Sequence, residues 1–189
     1  MRLYLVRHSG VTVRPERPGA EWHLSQAGRA AADALADEQY WTELDALHTS
    51  PEPKASSTAQ RIAAPHGLPI RIERDLREAE GRGWTELAEY RAQVRRYLAG
   101  EAVGSWEPKQ EVQRRVRACI EAIMERHSGR DVAVVTHGLA LTVYLAGLLE
   151  LDAATAYELW TGIRYPDIAI IDPQKQRLEL AFSARSDAM

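Results

Sequence analysis

The sequence predicts a three-layer α/β/α fold with a mostly parallel central sheet, and two strand-like runs that each lead to a histidine carry most of that prediction. Residues 2–6 (Arg-Leu-Tyr-Leu-Val) lead into Arg7 and His8, and residues 132–135 (Val-Ala-Val-Val) are followed, after one threonine, by His137. Apolar runs of this length are typical of strands buried on both faces of a parallel sheet. Helical segments alternate with strand-like runs along the chain, which is the pattern of layered α/β proteins.

The N-terminal half of the chain contains strand and helix signals that are separated by clear breaks. Its predicted elements, in order, are a strand at 2–6, a loop at 11–23, a helix that begins after Ser25, a strand at 44–49, a helix at 53–64 and a strand at 69–72. The loop is predicted from Pro15, Pro18 and Gly19. Ser25 has a hydroxyl suited to cap a helix N-terminus, and Gly67 is suited to end the second helix.

The C-terminal half is predicted to be richer in helix. Its elements are a helix at 85–98, an amphipathic helix from 112 that ends near 128, a strand at 132–135, helices at 139–149 and 153–160, and strands at 168–171 and 178–182. We expect the turn at 172–176 to join the last two strands as an antiparallel hairpin. Residues 77–110 are the least regular part, because several glycines and Pro108 interrupt them. We expect this segment to form a lid or insertion over the functional site.

Length and composition exclude several classes of protein. A chain of 189 residues with a formal net charge of −3 predicts one domain spanning residues 1–189 and no nucleic-acid or membrane partner. Cys119 is the single cysteine, so a disulfide framework is not expected. The chain enters a strand directly, without the charged and then apolar segment of a secretory signal, and no apolar run reaches the roughly 20 residues that span a bilayer. We therefore expect a cytoplasmic protein, and the sequence allows a homodimer.

Both strand-end histidines are predicted to lie where an open α/β sheet binds its ligands, outside the carboxyl ends of the strands. A neutral imidazole such as that of His8 is a competent nucleophile, and the guanidinium of Arg7 can bind phosphate oxygens in a bidentate manner. His137 directly precedes a predicted helix, whose N-terminal N–H groups favour anions. Together these groups predict a site for a tetrahedral dianion, although His8 alone is also consistent with a polar residue at a strand end.

Five segments of the chain follow an order that is known from one protein family. The segments are residues 5–9 (Leu-Val-Arg-His-Ser), 24–28 (Leu-Ser-Gln-Ala-Gly), 49–59 (Thr-Ser-Pro-Glu-Pro-Lys-Ala-Ser-Ser-Thr-Ala), 76–78 (Leu-Arg-Glu) and 135–138 (Val-Thr-His-Gly). In this order they resemble the histidine phosphatase superfamily, also called the phosphoglycerate-mutase-like family. The resemblance covers residues 2 to about 150, and coincidence is a poor explanation for five elements in the same order.

The resemblance implies metal-independent phosphoryl transfer through a phosphohistidine, with no cofactor and no catalytic metal. Under it His8 attacks phosphorus, Arg7 and His137 bind the equatorial oxygens, and Glu78 protonates the leaving oxygen and later helps to activate water. Lys54 takes the position at which the family usually has a phosphate-binding arginine. Without the family pattern, Glu78 could not be distinguished from the other acidic residues near it in the sequence.

Three departures from the family pattern lie near the expected site. Ser9 replaces the usual glycine after the histidine, which would add a hydroxyl near the phosphate. Lys54 keeps the charge of the usual arginine but loses its bidentate geometry. The loop after His8 is short and lacks the family's usual Thr and Asn, so its substrate contacts do not transfer. Arg14, Arg17, Trp22 and His23 are the local candidates for replacing them, and Ser9 is a further possible substrate contact.

The expected activity is hydrolysis of a small phosphorylated metabolite, and three alternatives stay open. A phosphoglycerate-type phosphomutase would use the same chemistry, but such mutases are generally longer and have an extended loop. A protein phosphohistidine phosphatase is the compact alternative, but the segment at 78–107 is longer than such proteins usually have. A catalytically silent phosphate-ligand-binding protein is the alternative from another class, because both the glycine and the arginine of the family pattern are replaced.

Overall fold

A computed structural model describes residues 1–173, 175 and 177–182, and these residues form one six-stranded sheet flanked by helices. The strands are β1 Leu3–Arg7, β2 Ala46–Thr49, β3 Ile70–Ile72, β4 Val132–Thr136, β5 Asp167–Asp172 and β6 Arg177–Leu180. Their order across the sheet is β3-β2-β4-β1-β5-β6. The pairs among β1 to β4 are parallel, whereas β5 pairs antiparallel with β1 and with β6. The prediction of a mostly parallel central sheet is therefore confirmed.

Six α-helices cover the two faces of this sheet within the described residues. They are α1 Gln26–Ala36, α2 Pro53–Ala63, α3 Leu87–Leu98, α4 Lys109–Arg126, α5 Gly138–Leu148 and α6 Ala153–Gly162. Alternate residues of a strand point to opposite faces. Leu5 of β1 accordingly joins a core with the helices α3 to α6, whereas Val6 joins a second core with α1 and α2. These two cores make the three layers that the sequence predicts.

The observed elements differ from the predicted ones mainly at their ends. Helix α4 begins at Lys109, several residues before its first periodic apolar position, because polar residues can form a first turn that buries nothing. The last two strands pair antiparallel, as predicted. Positions 174 and 176 of the turn predicted between them lie outside the described residues, as do residues 183–189 of the predicted domain. Within the described residues, no helix is long and apolar enough to cross a membrane.

The parallel strands bring the chemically interesting residues to one edge of the sheet. His8 directly follows β1, Ser50 follows β2 and His137 follows β4. Backbone bonds extend the ladders by one residue, since the His8 N–H donates to the Thr136 carbonyl at 2.9 Å and the Ser50 N–H to the Val135 carbonyl at 3.1 Å. These residues are therefore held by the sheet itself and not by mobile loops.

The start of α1 holds the loop that follows His8. Ser25 caps the helix as predicted, because its Oγ accepts the Gly28 N–H at 2.9 Å, and its own N–H donates to the Gly10 carbonyl at 3.0 Å. The backbone approach is so close that a Cβ on Gly28 would lie 1.9 Å from the Gly10 oxygen. Only glycine at position 28 permits this packing of helix against loop.

We expect Gly28→Ala to lower stability by about 1–3 kcal/mol, the usual effect of forcing a methyl group into packed atoms. In a chain of this size that corresponds to a fall in Tm of roughly 2–4 °C for each kcal/mol. Thermal denaturation measures the change. Gly162→Ala is the matched control, because nothing lies within 4 Å of the Cβ it would add. Equal Tm values for the two variants would contradict the packing argument.

Candidate active site

A cavity of about 410 Å³ opens at the carboxyl edge of the parallel strands. Its wall includes Arg7, His8, Lys54 and Glu78, four of the residues that the sequence singles out. His137 lies directly behind, with its ring centroid 5.2 Å from that of His8. The structure thus brings together five residues that are up to 130 positions apart in the chain.

His8 is buried and held as a neutral imidazole. Its Nδ1 is 2.8 Å from the Ser9 carbonyl oxygen, an acceptor that requires a proton on Nδ1 and therefore leaves the lone pair on Nε2. Burial lowers the pKa of His8 well below its ordinary value, and the positive charges of Lys54 and Arg7 lower it further. An unprotonated Nε2 beside two cations is the state that a nucleophile for an anionic substrate needs.

Arg7 lies under the N-terminus of α5. Its guanidinium donates hydrogen bonds to the Ile163 carbonyl and the Tyr165 hydroxyl, and its Cζ lies 3.5 Å from the centroid of the Tyr165 ring. A Cβ on Gly138 would lie 2.8 Å from Cζ of Arg7, so a side chain at position 138 would displace the guanidinium from this position. Arg7 Nε is buried and has no hydrogen-bond partner among the described residues. A bound anion would satisfy such a donor.

His137 is fully buried and fixed through one ring nitrogen. Its Nε2 is 2.8 Å from Ser50 Oγ and 3.4 Å from Glu52 Oε1, while its Nδ1 has no hydrogen-bond partner within the described part of the chain. Burial lowers the pKa of His137 well below its ordinary value, and the charge of Lys54 adds to the effect. The ring therefore offers one nitrogen for a further hydrogen bond next to His8.

Lys54 forms a buried ion pair that the sequence reasoning missed. Its Nζ donates to Glu52 Oε2 at 2.5 Å and to the Gly19 carbonyl at 2.5 Å. The other oxygen of Glu52 accepts the Glu78 N–H at 2.7 Å. An acid two residues before the lysine, in the segment that follows β2, is the signal that could have indicated this pair. Glu52 thus contacts Lys54, His137 and the backbone N–H of Glu78.

The Glu78 carboxylate lies at the N-terminus of α5, where we expected the phosphate to bind. Its Oε1 accepts the N–H groups of Ala79 and Ala140, at 3.1 and 2.9 Å, and its Oε2 accepts that of Leu139 at 3.2 Å. The expectation that the N–H groups of α5 are free for the dianion is therefore wrong for Leu139 and Ala140. The physical reason is that the chain's own carboxylate satisfies them.

Two arginines that the sequence reasoning did not select contact the segment around Glu78. Arg115 of α4 donates to the carbonyls of Asp75, Arg77 and Glu78 and makes a two-point ion pair with a glutamate. Arg82 donates to a tyrosine hydroxyl, and its Nη2 lies 3.9 Å from Glu78 Oε2. Arg115 contacts carbonyls that are about 40 residues away in the chain, whereas these hydrogen-bond and ion-pair partners of Arg82 lie within eight residues of it.

Of the five candidate substrate contacts, Trp22 alone lines the cavity. Ser9 is fully buried and its Oγ donates to the Gly28 carbonyl at 2.6 Å, so the hydroxyl is used within the protein and not by a ligand. The Arg14 and Arg17 side chains are exposed and do not line the cavity. His23 lines a separate surface depression beside α1 and α2. The structure therefore does not bring these other candidates into the cavity wall.

Among the described residues, no group of three or more His, Cys, Asp or Glu side chains is arranged to hold a metal ion.

The amino-acid sequence is similar to a family profile and to known proteins. A family profile described as the histidine phosphatase superfamily (branch 1) matches residues 3–183. An uncharacterized protein of Mycobacterium tuberculosis is 32% identical over 161 residues, which cover 77% of this chain and 79% of that protein. Phosphoserine phosphatase 1 of Hydrogenobacter thermophilus is 26% identical over 196 residues, which cover 94% of this chain and 89% of that protein.

Solved structures show the same fold. A mycobacterial glucosyl-3-phosphoglycerate phosphatase in complex with VO3 matches with a TM-score of 0.78 and 23% identity, over 95% of this chain and 98% of that one. A phosphoserine phosphatase of Entamoeba histolytica in complex with 3-phosphoglyceric acid matches with a TM-score of 0.76 and 17% identity, over 96% and 95%. With the profile match across nearly the whole sequence, these findings show that the chain belongs to the histidine phosphatase superfamily.

Proposed function

We propose that this protein hydrolyses a small phosphomonoester, without a metal ion, through a phosphohistidine formed on His8. The observation that carries the proposal is the neutral, buried imidazole of His8 in a cavity that also contains Arg7, Lys54 and Glu78. The relatives that are named as phosphatases support the same reaction class. The cations Arg7 and Lys54 are matched to an anionic substrate, and Glu78 lines the same cavity as the candidate acid.

The first step transfers the phosphoryl group to the protein. The lone pair on His8 Nε2 attacks phosphorus, the bond between phosphorus and the leaving oxygen breaks, and the carboxyl group of Glu78 gives that oxygen a proton. The equatorial oxygens lie against Arg7, Lys54 and His137. Catalysis of phosphoryl transfer depends mainly on such positioning and on stabilisation of the transferring charge.

The second step returns the protein to its starting state. Water attacks the phosphorus of phosphohistidine, the carboxylate of Glu78 accepts a proton from that water, and the P–N bond breaks. Inorganic phosphate leaves, and His8 Nε2 recovers its lone pair. General acid–base assistance by one carboxyl group in both steps contributes about 10²–10⁴-fold to the rate.

We expect His8→Ala to abolish hydrolysis of p-nitrophenyl phosphate in EDTA, because the variant lacks the nucleophile. The parent should accumulate an acid-labile, alkali-stable phosphoenzyme after rapid quenching, and the variant should not. His23→Ala is the control, since this histidine lies outside the cavity. An active His8→Ala enzyme would contradict the proposal. A parent that binds inorganic phosphate but hydrolyses no ester would favour the catalytically silent binding protein.

We expect Lys54→Ala to lower kcat/KM by about 10²-fold, the effect of removing one donor that stabilises transition-state charge. Lys54→Arg should retain activity because the charge remains. Lys175→Ala, in an exposed lysine on the hairpin, is the matched control. Steady-state kinetics with p-nitrophenyl phosphate measures all three variants. Unchanged kinetics in Lys54→Ala would show that the lysine is not part of the phosphate site.

The pH dependence should report the lowered pKa of His8. Because burial and the charge of Lys54 hold that pKa well below 6.5, the nucleophile stays unprotonated, and kcat/KM should not fall with a midpoint near pH 6.5 once substrate ionisation is taken into account. Removing the cation in Lys54→Ala should move the acidic limb to higher pH. An acidic limb at the same pH in both proteins would contradict the electrostatic role of the lysine.

A further inference from the structure

Large exposed apolar side chains are concentrated around the mouth of the active-site cavity. Among the described residues six such side chains are exposed: Val13, Ile70, Ile72, Trp84, Leu87 and Tyr165. Four of them, all except Ile70 and Ile72, line the cavity that contains His8. Exposed apolar groups that are gathered at one place commonly mark a binding surface. We call these four residues the apolar rim.

The apolar rim is assembled from three separate parts of the chain. Val13 belongs to the loop after β1, Trp84 and Leu87 belong to the segment that enters α3, and Tyr165 lies between α6 and β5. These parts have no common local pattern, yet their side chains meet over one opening. The arrangement is therefore a property of the site and not of a single amphipathic element.

Most charges of the cavity surround His8, and one of them contacts the rim, because Cζ of Arg7 lies 3.5 Å from the centroid of the Tyr165 ring. The cations are Arg7, Lys54 and Arg82, which lie with His8 and Glu78. Glu86, which precedes α3, is the one further ionised side chain that lines the cavity. A phosphate is matched to the cations, whereas a second anionic group on the substrate would meet apolar side chains and one carboxylate. Desolvation of a charged group without a partner is unfavourable.

We propose that the substrate is a phosphomonoester of an alcohol that carries an aromatic ring, with the phosphate at His8 and the ring against the apolar rim. This inference rests on the proposed function. The indole of Trp84 and the ring of Tyr165, one face of which is covered by the Arg7 guanidinium, are 47% and 50% exposed. Their accessible ring surfaces favour another ring over an aliphatic chain. The cavity volume of about 410 Å³ is in the range of sites that enclose a small ligand.

The test compares esters whose leaving oxygens are similar, so that chemistry and binding are not confused. 2-Phenylethyl phosphate and ethyl phosphate are both esters of primary alcohols, and phosphoserine is a primary ester with two further charges. We expect kcat/KM for 2-phenylethyl phosphate to exceed the values for ethyl phosphate and phosphoserine by about tenfold or more. Equal values, or a preference for phosphoserine, would overturn the inference while leaving the hydrolytic function intact.

Variants of the rim test whether these side chains produce the preference. Trp84 and Leu87 are 47% and 61% exposed, so replacement by alanine should leave the fold stable. We expect Trp84→Ala and Leu87→Ala each to lower the ratio of kcat/KM for 2-phenylethyl phosphate to that for ethyl phosphate by at least threefold. Ile72→Ala is the matched control, because Ile72 is 66% exposed but lies on β3, outside the cavity. A ratio that is the same in all four proteins would overturn the assignment to the rim.

A binding measurement keeps the inference separate from the reaction. Benzylphosphonate and ethylphosphonate are not hydrolysed, and calorimetry gives their Kd values for the parent. Tighter binding of benzylphosphonate by about tenfold supports the aromatic subsite even if no ester is hydrolysed, in which case only the proposed function fails. Equal Kd values overturn the inference whether or not the protein is active.

Discussion

The N-terminus of α5 is the constraint on which the arrangement of the site depends. A helix start presents unpaired N–H groups and the positive end of a dipole, and here the chain places its own carboxylate there, with Glu78 accepting from Leu139 and Ala140. The preceding glycine, Gly138, leaves the space that the guanidinium of Arg7 fills. One helical turn therefore positions both the acid and the arginine relative to the histidine that ends β1.

Charge balance in the cavity depends on a second short contact. Lys54 is buried, and a buried cation without a counter-charge is unfavourable. Glu52 supplies the counter-charge of Lys54 and also accepts the backbone N–H of Glu78. The resulting pair keeps a positive charge close enough to lower the pKa of both His8 and His137. The neighbouring acid therefore holds Lys54 in place beside the two histidines.

Much of the fold could be predicted because its signals are local. Apolar runs before His8 and His137 indicated parallel strands, which the structure shows. Ser25 stands directly before the predicted helix and has a hydroxyl that can accept a hydrogen bond, and this indicated the cap that the structure shows. The directions of loop side chains were not predictable in the same way. Ser9 was expected near substrate, but its hydroxyl bonds to the Gly28 carbonyl, since an unsatisfied buried hydroxyl would be unfavourable. The His23 side chain likewise lies on another surface.

By itself, the sequence determined the order of strands and helices, the family, and the placement of two histidines at strand ends, because hydrophobic periodicity and short motifs act over neighbouring residues. Only the tertiary structure decided which acid meets the helix, which side chain holds Lys54, and that Val13, Trp84 and Tyr165 share one opening. These are contacts between residues far apart in the chain. They arise from the packing of whole layers, which no local pattern records.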